Sequence, residues 1–230
     1  MFVGHIGAGL LVKRLEPRLN LGVLLFAALF ADLLLWTLVI LGAESPGAPE
    51  VSGPARFFTF VFPYSHGLVA SILWSGIAAS AGWFLAPRGT SHRTRLDGAL
   101  ALAVFSHFVL DLIVHVPDLP LLGQGSPKLG FGLWRQMPIA LGVELSFAAI
   151  ALVLYLNVAR LSRAKAFLVG ALVVVTAALT AAGPYAPGDP PPAVVLALSS
   201  LLTLIVVVLL GLVVEGPFKV TSELPTRDRY

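Results

Sequence analysis

The sequence contains no cysteine and few charged residues. The absence of cysteine among its 230 residues excludes disulfides, thiolate metal ligands and a catalytic thiol. Only 12% of the residues are charged, whereas a soluble domain carries about 25%. Hydrophobic residues make up 57%, and the mean hydropathy is +0.91. Such a composition predicts a membrane protein. The net charge of +3 is small and clustered in loops, so we expect no nucleic-acid partner.

Two further features are missing from the chain. No internal repeat is evident, which weighs against a transporter built from inverted repeats. No cleavable signal peptide is expected, because the N-terminal apolar run precedes Lys13 and Arg14 instead of following a basic segment.

Long apolar segments predict the fold class, an all-α polytopic membrane helix bundle with about six transmembrane helices. Segments near the ~20 residues that a span needs lie at about 20–42, 64–86, 97–117, 138–159, 165–183 and 192–214. We expect a single integral membrane domain over residues 1–230. Within it, residues 1–160 form the helices that bear the site, residues 161–215 form two featureless apolar helices, and residues 216–230 form a cytoplasmic tail.

Basic residues in alternate loops predict the orientation. By the positive-inside rule their side is cytoplasmic, which indicates a multi-pass protein of the inner (plasma) membrane. The four basic clusters are Lys13, Arg14 and Arg18; Arg88, Arg93 and Arg95; Arg160, Arg163 and Lys165; and Lys219, Arg227 and Arg229.

The first twelve residues are apolar but too short to cross the bilayer. As a helix they would extend ~18 Å against ~30 Å of hydrocarbon. They could form an interfacial helix or a re-entrant half-helix. We favour the half-helix, which would carry His5 into the protein.

Residues 106–118 are the most informative segment of the chain. His107, Asp111 and His115 are spaced four residues apart, so they lie within a helical arc of roughly 80°. Ionisable groups in a membrane are unfavourable and usually functional. Imidazole and carboxylate groups on one face are typical ligands of a divalent metal such as zinc, although they also serve proton relays.

Depth estimates bring polar residues of other helices to the same layer. At ~1.5 Å per residue, Asp32 and His107 both lie roughly 18 Å from their cytoplasmic anchors, and His66 lies near the level of His115. Glu144 lies about one turn inside the fourth span. Each has a structural alternative: Asp32 as a hydrogen-bond partner of another helix, His66 as an interfacial helix start, and Glu144 as a solvated side chain.

Several of these motifs occur in a known order. Gly4-His5, Asp32, Ser65-His66 and the segment from Ser106-His107 to Asp111 resemble the bacterial inner-membrane YdjM-like family, which comprises LexA-regulated, membrane-bound proteins described as metal-dependent hydrolases. The resemblance covers about residues 1–145 and implies a metal-dependent hydrolase. The positions that match the family motifs are His5, Asp32, His66, His107 and Asp111.

The chain departs from the family pattern at two motifs. The paired-aspartate motif retains one carboxylate, Asp32, and Val61 stands where the family has the first histidine of its His-Arg-Gly-x-Thr-His motif. The extra ionisable residues His115, Asp118 and Glu144 are candidates to substitute for the lost groups.

Three functions remain open from the sequence. The first is an intramembrane metal-dependent hydrolase of a lipid or lipid-linked substrate. Its metal, zinc or alternatively manganese, would be held by residues from the set His5, His66, His107, Asp111 and His115. Asp32 or Glu144 would be the general base.

The second function is a proton- or metal-coupled transporter, and the third is a non-catalytic membrane scaffold. The short chain, the missing repeat and an expected absence of broken helix pairs weigh against transport. We therefore favour the enzyme.

Overall fold

The computed structural model describes residues 1–85 and 93–215, with the side chains of residues 84 and 85 excluded. The sequence-based predictions for Arg88 and for the 216–230 tail lie outside these residues. The described chain is mainly helical, with two short antiparallel hairpins. The helices are α1 (Phe2–Leu15), α2 (Leu21–Ala28), α3 (Phe30–Ile40), α4 (Leu68–Leu85), α5 (Arg93–Val114), α6 (Met137–Leu156), α7 (Arg163–Ala182) and α8 (Ala193–Glu215). The strands are β1 (Ser45–Ser52), β2 (Ala55–Val61), β3 (Leu119–Pro120) and β4 (Lys128–Leu129).

Four helical segments of the described chain are long and apolar enough to cross a membrane, which indicates a membrane protein. They are Arg93–Val114, Leu133–Leu156, Arg163–Tyr185 and Ala193–Glu215. Helices α2 and α3 qualify together as a fifth span, although they are bent by 56°. The predicted count of about six is not confirmed. The second predicted span, at about 64–86, is not among the four: its helix begins only at Leu68, after turns and bends at residues 63–67, and the part of it with described side chains covers Leu68–Trp83.

The bend between α2 and α3 lies beside the polar residues. The carbonyl oxygen of Ala28, at the end of α2, accepts a hydrogen bond from His107 Nδ1 at 2.8 Å. A helix can break at membrane depth where another group satisfies its backbone. The bend also places Asp32 in the first turn of α3, where the positive end of the helix dipole stabilises a carboxylate.

Helix α1 lies inside the protein. His5 is fully buried, and Val3, Ile6 and Leu10 belong to a hydrophobic core shared with α2, α6, α7 and α8. Close packing on α6 depends on Gly7, because a Cβ at this position would lie 3.2 Å from the Ala148 Cα. The re-entrant interpretation of the N-terminal segment accords with this burial.

The β1–β2 hairpin is a feature that the sequence analysis did not predict. Strand β1 contains Pro46 and Pro49, and its pairing with β2 shifts register between them. Proline cannot donate to a ladder and is tolerated on an edge strand. Arg56 of β2 donates to the carbonyl oxygens of Ala186 and Gly188, which attaches the hairpin to the connection between α7 and α8.

Candidate metal site

The polar residues singled out in the sequence meet in the interior of the helix bundle. They come from α1, α3, the turn before α4, and α5, and all but Asp32 are almost fully buried. Two groups of three present ligand atoms within 4.8 Å of one another: His66, His107 and Asp111, and His5, Asp32 and His107. Because both groups include His107, they represent alternative ways to hold one ion.

His66 and His107 direct their Nε2 atoms at each other across 3.1 Å. His107 Nδ1 lies 2.8 Å from the Ala28 carbonyl oxygen, which can only accept, so this nitrogen carries the proton. A neutral imidazole has one N–H, and the Nε2 atom of His107 therefore presents a lone pair.

A second chain of hydrogen bonds assigns the same tautomer to His66. The Ser65 hydroxyl donates to Glu44 Oε2 at 2.7 Å, and it has only one proton to give. His66 Nδ1, 2.8 Å from the same hydroxyl oxygen, must then be the donor, which leaves Nε2 of the neutral ring unprotonated. Two neutral rings would direct lone pairs at each other across 3.1 Å, so the contact requires a cation, either a metal ion or a proton on one of the two Nε2 atoms.

The distances between the ligand atoms of the first group, His66, His107 and Asp111, are close to those between ligands of one tetrahedral metal ion. The Asp111 Oδ2 atom lies 3.2 Å from His107 Nε2 and 3.5 Å from His66 Nε2. Ligands of a tetrahedral zinc ion, each bound at ~2.0–2.1 Å, lie about 3.3–3.4 Å apart. Three protein ligands with a fourth position left for water or substrate are typical of catalytic zinc sites.

Asp111 uses its two oxygens on different neighbours. The Oδ1 atom lies 3.1 Å from His5 Nε2 and 3.0 Å from the amino group of Met1, whereas Oδ2 faces His66 and His107. The His5 ring stacks on His107 with centroids 3.6 Å apart. Its buried Nδ1 atom has no hydrogen-bond partner within the described structure. The Nε2 atom of His5 faces Asp111, so Nδ1 is the nitrogen of this ring that remains open to a ligand.

Asp32, on α3, is the carboxylate of the second group, which also contains His5 and His107. Its Oδ1 atom lies 3.5 Å from His66 Nε2 and 3.7 Å from His107 Nε2. The side chain keeps 21% of its surface exposed, more than any other member of the two groups. It is therefore the carboxylate most accessible to a substrate.

His115 lies just beyond the end of α5, beside the two groups. Its Nδ1 atom is 3.0 Å from Asp118 Oδ1, and its Nε2 atom is 3.8 Å from Asp111 Oδ2. The ring packs against Trp134 with centroids 4.1 Å apart. Asp118 Oδ2 in turn accepts from the backbone N–H of Phe60, which connects His115 to strand β2. The arrangement orients His115 toward the site without placing it in either metal group.

Glu144, the other predicted general base, lies beside the start of α1 and belongs to neither metal group. Its Oε1 atom accepts a hydrogen bond from the backbone N–H of Gly4 at 3.1 Å, in the first turn of α1. The residue is buried but does not line the cavity beside the metal groups. A carboxylate in this position stabilises a helix N-terminus.

A cavity of about 430 Å³ opens next to the polar residues. Asp32, His66, Asp111 and His115 line its polar part. Its opposite wall comes from the ends of α7 and α8, including Leu179 and the stretch from Leu196 to Leu204. The expectation that the last two helices are featureless is therefore too simple, since they complete the cavity.

Sequence reasoning missed two sets of residues. The first is Glu44, whose carboxylate also accepts from the backbone N–H groups of Tyr64 and Ser65 at 2.8 and 3.0 Å. The aromatic wall of the cavity was missed as well, because the hairpin that supplies part of it was not predicted. The available signal was the run of aromatic residues from Phe57 to Phe62.

Comparisons with known proteins give no match for this chain. No family model matches it, and neither a curated protein nor a solved structure does. The resemblance to the YdjM-like family therefore stays a prediction, and the functional argument depends on the site itself.

Proposed function

We propose that the protein is an integral-membrane metal-dependent hydrolase acting on a lipid or lipid-linked substrate. The observation that carries the proposal is the 3.1 Å approach of two Nε2 atoms, those of His66 and His107, with Asp111 Oδ2 3.2–3.5 Å away. A divalent cation bound by these three atoms would satisfy them together.

The donor set suits zinc better than a hard cation. Imidazole nitrogens are zinc ligands, whereas magnesium and calcium prefer oxygen. Zinc bound here would lower the pKa of a coordinated water to about 7 and so supply a nucleophile.

The chain's own residues would perform the remaining tasks. Asp32 is placed to accept a proton at Oδ1, because it lies beside both imidazoles and faces the cavity. Ser65 and Glu44 would keep His66 in the tautomer that leaves Nε2 free. Outer-sphere partners of this kind orient metal-ligating histidines. The buried surroundings would exclude bulk water from the polar groups.

A lipid substrate is supported by the position of the cavity. Its polar end holds the histidines and carboxylates, and its other wall belongs to two of the helices that could span the membrane. An amphiphile could place its cleavable headgroup at the polar end while its chains remain against apolar helices.

Metal content of the purified protein tests the proposal. We expect about one equivalent of zinc or manganese per chain by plasma mass spectrometry, lost in His107→Ala and Asp111→Ala. Ser106→Ala is the matched control, because this neighbour on α5 bonds only to the Ala103 carbonyl oxygen and belongs to neither metal group. Metal-free, folded wild-type protein that cannot be reloaded would refute a metal-dependent enzyme. If the purified wild-type protein contains metal, a screen for lipid hydrolysis follows.

One observation favours transport as a second candidate. The expected absence of broken helix pairs is wrong, because α2 and α3 are bent by 56° beside the site, and broken helices form ion sites in transporters. Against this candidate, the part of α5 before His107 packs Leu96, Leu100 and Val104 into an apolar cluster. Zinc or proton uptake into proteoliposomes, lost in His107→Ala, would favour transport. If protein that is active as a hydrolase shows no zinc or proton uptake, transport is excluded.

A further inference from the structure

One wall of the cavity is aromatic. Trp36 of α3, Phe60 of β2 and Phe62 after it all line the space that contains Asp32. The Trp36 and Phe60 rings meet edge to face with centroids 5.9 Å apart, and Phe60 and Phe62 lie 5.5 Å apart. The electron-rich faces of such rings attract cations, and ammonium ligands are bound in aromatic pockets of this kind.

The charges around the cavity have the sign that suits a cation. Among the described residues that line it there is no lysine or arginine, although two carboxylates, Asp32 and Asp111, are present. The amino group of Met1 is already engaged by Asp111 Oδ1 at 3.0 Å. Among the described residues, the ion-pair partners of the Asp32 carboxylate within 4 Å are the imidazoles of His66 and His107, and its side chain is 21% exposed.

The far wall is suited to hydrocarbon. Leu179, Leu196 and Leu204 line it, and α8 also contributes Ser199, Ser200 and Thr203. The Ser199 and Thr203 hydroxyls donate to carbonyl oxygens of their own helix, so these two add little polarity to the wall. At about 430 Å³ the cavity lies in the size range of small-ligand sites, which is sufficient for a headgroup but not for a complete two-chain lipid.

We propose that the cavity binds the headgroup of a lipid carrying a cationic amine, such as a phosphoethanolamine or phosphocholine headgroup. The ammonium group lies against Trp36 and Phe60 with Asp32 as its counter-charge, and the acyl chains leave along α8. The inference deepens the proposed function, on which it rests only for the position of the cleavable bond next to His66 and His107. An anionic headgroup would instead meet two carboxylates, with no lysine or arginine among the described lining residues to offset them.

Lipid selection from a defined mixture tests this inference. Full-length protein is exchanged into nanodiscs of equal parts phosphatidylethanolamine and phosphatidylglycerol, isolated in mild detergent, and its retained lipids are measured by mass spectrometry. We expect the amine lipid to be enriched roughly three- to thirty-fold, the range of a cation–π contact. The enrichment should be lost in Trp36→Leu and Asp32→Asn.

Controls separate the possible outcomes. Trp83→Leu removes an exposed tryptophan of α4 that does not line this cavity, and it should keep the enrichment. Equal retention of the two lipids, or preference for phosphatidylglycerol, would overturn the proposal. Tight binding of soluble phosphocholine in the absence of lipid would overturn the assignment to a lipid, since the ligand would then be a free amine ester.

The same samples also distinguish this proposal from the metal-dependent one. Metal content is measured on every preparation. Metal-free protein that still enriches the amine lipid would refute the hydrolase and support the amine site. Metal-loaded protein without lipid preference would refute the amine site alone.

Discussion

His66 and His107 face each other through Nε2 atoms 3.1 Å apart, although they are 41 positions apart in the sequence. Each ring is held by a hydrogen bond at its other nitrogen, one to the Ser65 hydroxyl and one to the Ala28 carbonyl oxygen. The two bonds reach His66 and His107 from unrelated parts of the fold, a turn before α4 and the break after α2. Both hydrogen bonds therefore turn an Nε2 atom toward the space between the two rings.

Removing the hydroxyl that orients His66 should weaken metal binding. In Ser65→Ala the His66 Nδ1 proton loses its acceptor, so the ring can change tautomer or rotate. We expect metal affinity to fall about 10- to 100-fold, the usual effect of losing such a partner. Competition with a chelator of known affinity measures it.

Two further variants test whether the loss of affinity in Ser65→Ala comes from the missing hydroxyl. Ser65→Thr keeps a hydroxyl and should restore most of the affinity. Ser80→Ala serves as the control, because this exposed serine of α4 bonds only to the Gly76 carbonyl oxygen. Unchanged affinity in Ser65→Ala would show that the Glu44–Ser65–His66 chain does not position the ligand.

The two candidate bases should respond differently to substitution. Asp32→Asn removes a carboxylate that faces the cavity, so hydrolysis of a substrate found in the screen should fall about 10²- to 10⁴-fold. Glu144→Gln should leave turnover nearly unchanged, because its amide oxygen can still accept from the Gly4 N–H and the residue does not line the cavity. The hydrolysis rates of the two variants at saturating substrate decide which residue is the general base. A greater loss in Glu144→Gln would reverse the assignment.

Much of the site followed from local sequence pattern. The stripe on α5 follows from helical periodicity, because a helix rises by a fixed amount per residue. Counting residues along the spans predicted Asp32 and His107 in one layer, and their side chains lie 3.7 Å apart. The site residues predicted on α1 and before α4 also lie beside the stripe.

The remaining features depend on contacts between distant segments. The break after Ala28 contains no proline or glycine, and the Ala28 carbonyl oxygen finds its partner 79 positions away. Glu44 reaches Ser65 only because the β1–β2 hairpin folds back between them. Two prolines in β1 weaken its strand pattern in the sequence, since proline is rare in sheets. Periodicity carries no information on such contacts.

A polar network at the other end of the bundle should stabilise the fold. Glu215 Oε2 accepts from Lys13 Nζ at 2.7 Å and from the Leu21 backbone N–H at 2.8 Å. Glu215→Ala leaves both donors without this acceptor and should lower the free energy of unfolding by about 1–3 kcal/mol. Titration with sodium dodecyl sulfate measures the change. Glu50→Ala, at an exposed position of β1, should have no effect. Equal stability of the two variants would contradict the network's role.

The crossing of α2 and α8 requires two glycines to lie face to face. A Cβ at Gly22 would lie 2.5 Å from the Leu212 backbone nitrogen, and a Cβ at Gly211 would lie 2.8 Å from the Gly22 Cα. Neither clash can be relieved by a side-chain rotation alone, because backbone atoms are involved. We therefore expect Gly22→Ala to destabilise the protein by about 1–3 kcal/mol, as overpacking does elsewhere.

Helical glycines in open surroundings provide the matched control for Gly22→Ala. A Cβ at Gly142 of α6 or Gly170 of α7 meets no atom within 4 Å. Alanine there should leave stability unchanged or raise it by up to about 1 kcal/mol, because it favours the helix more than glycine does. Unfolding midpoints of the three variants in the same detergent make the comparison. If Gly22→Ala were as stable as the controls, α2 and α8 could not pack as closely as the structure has them.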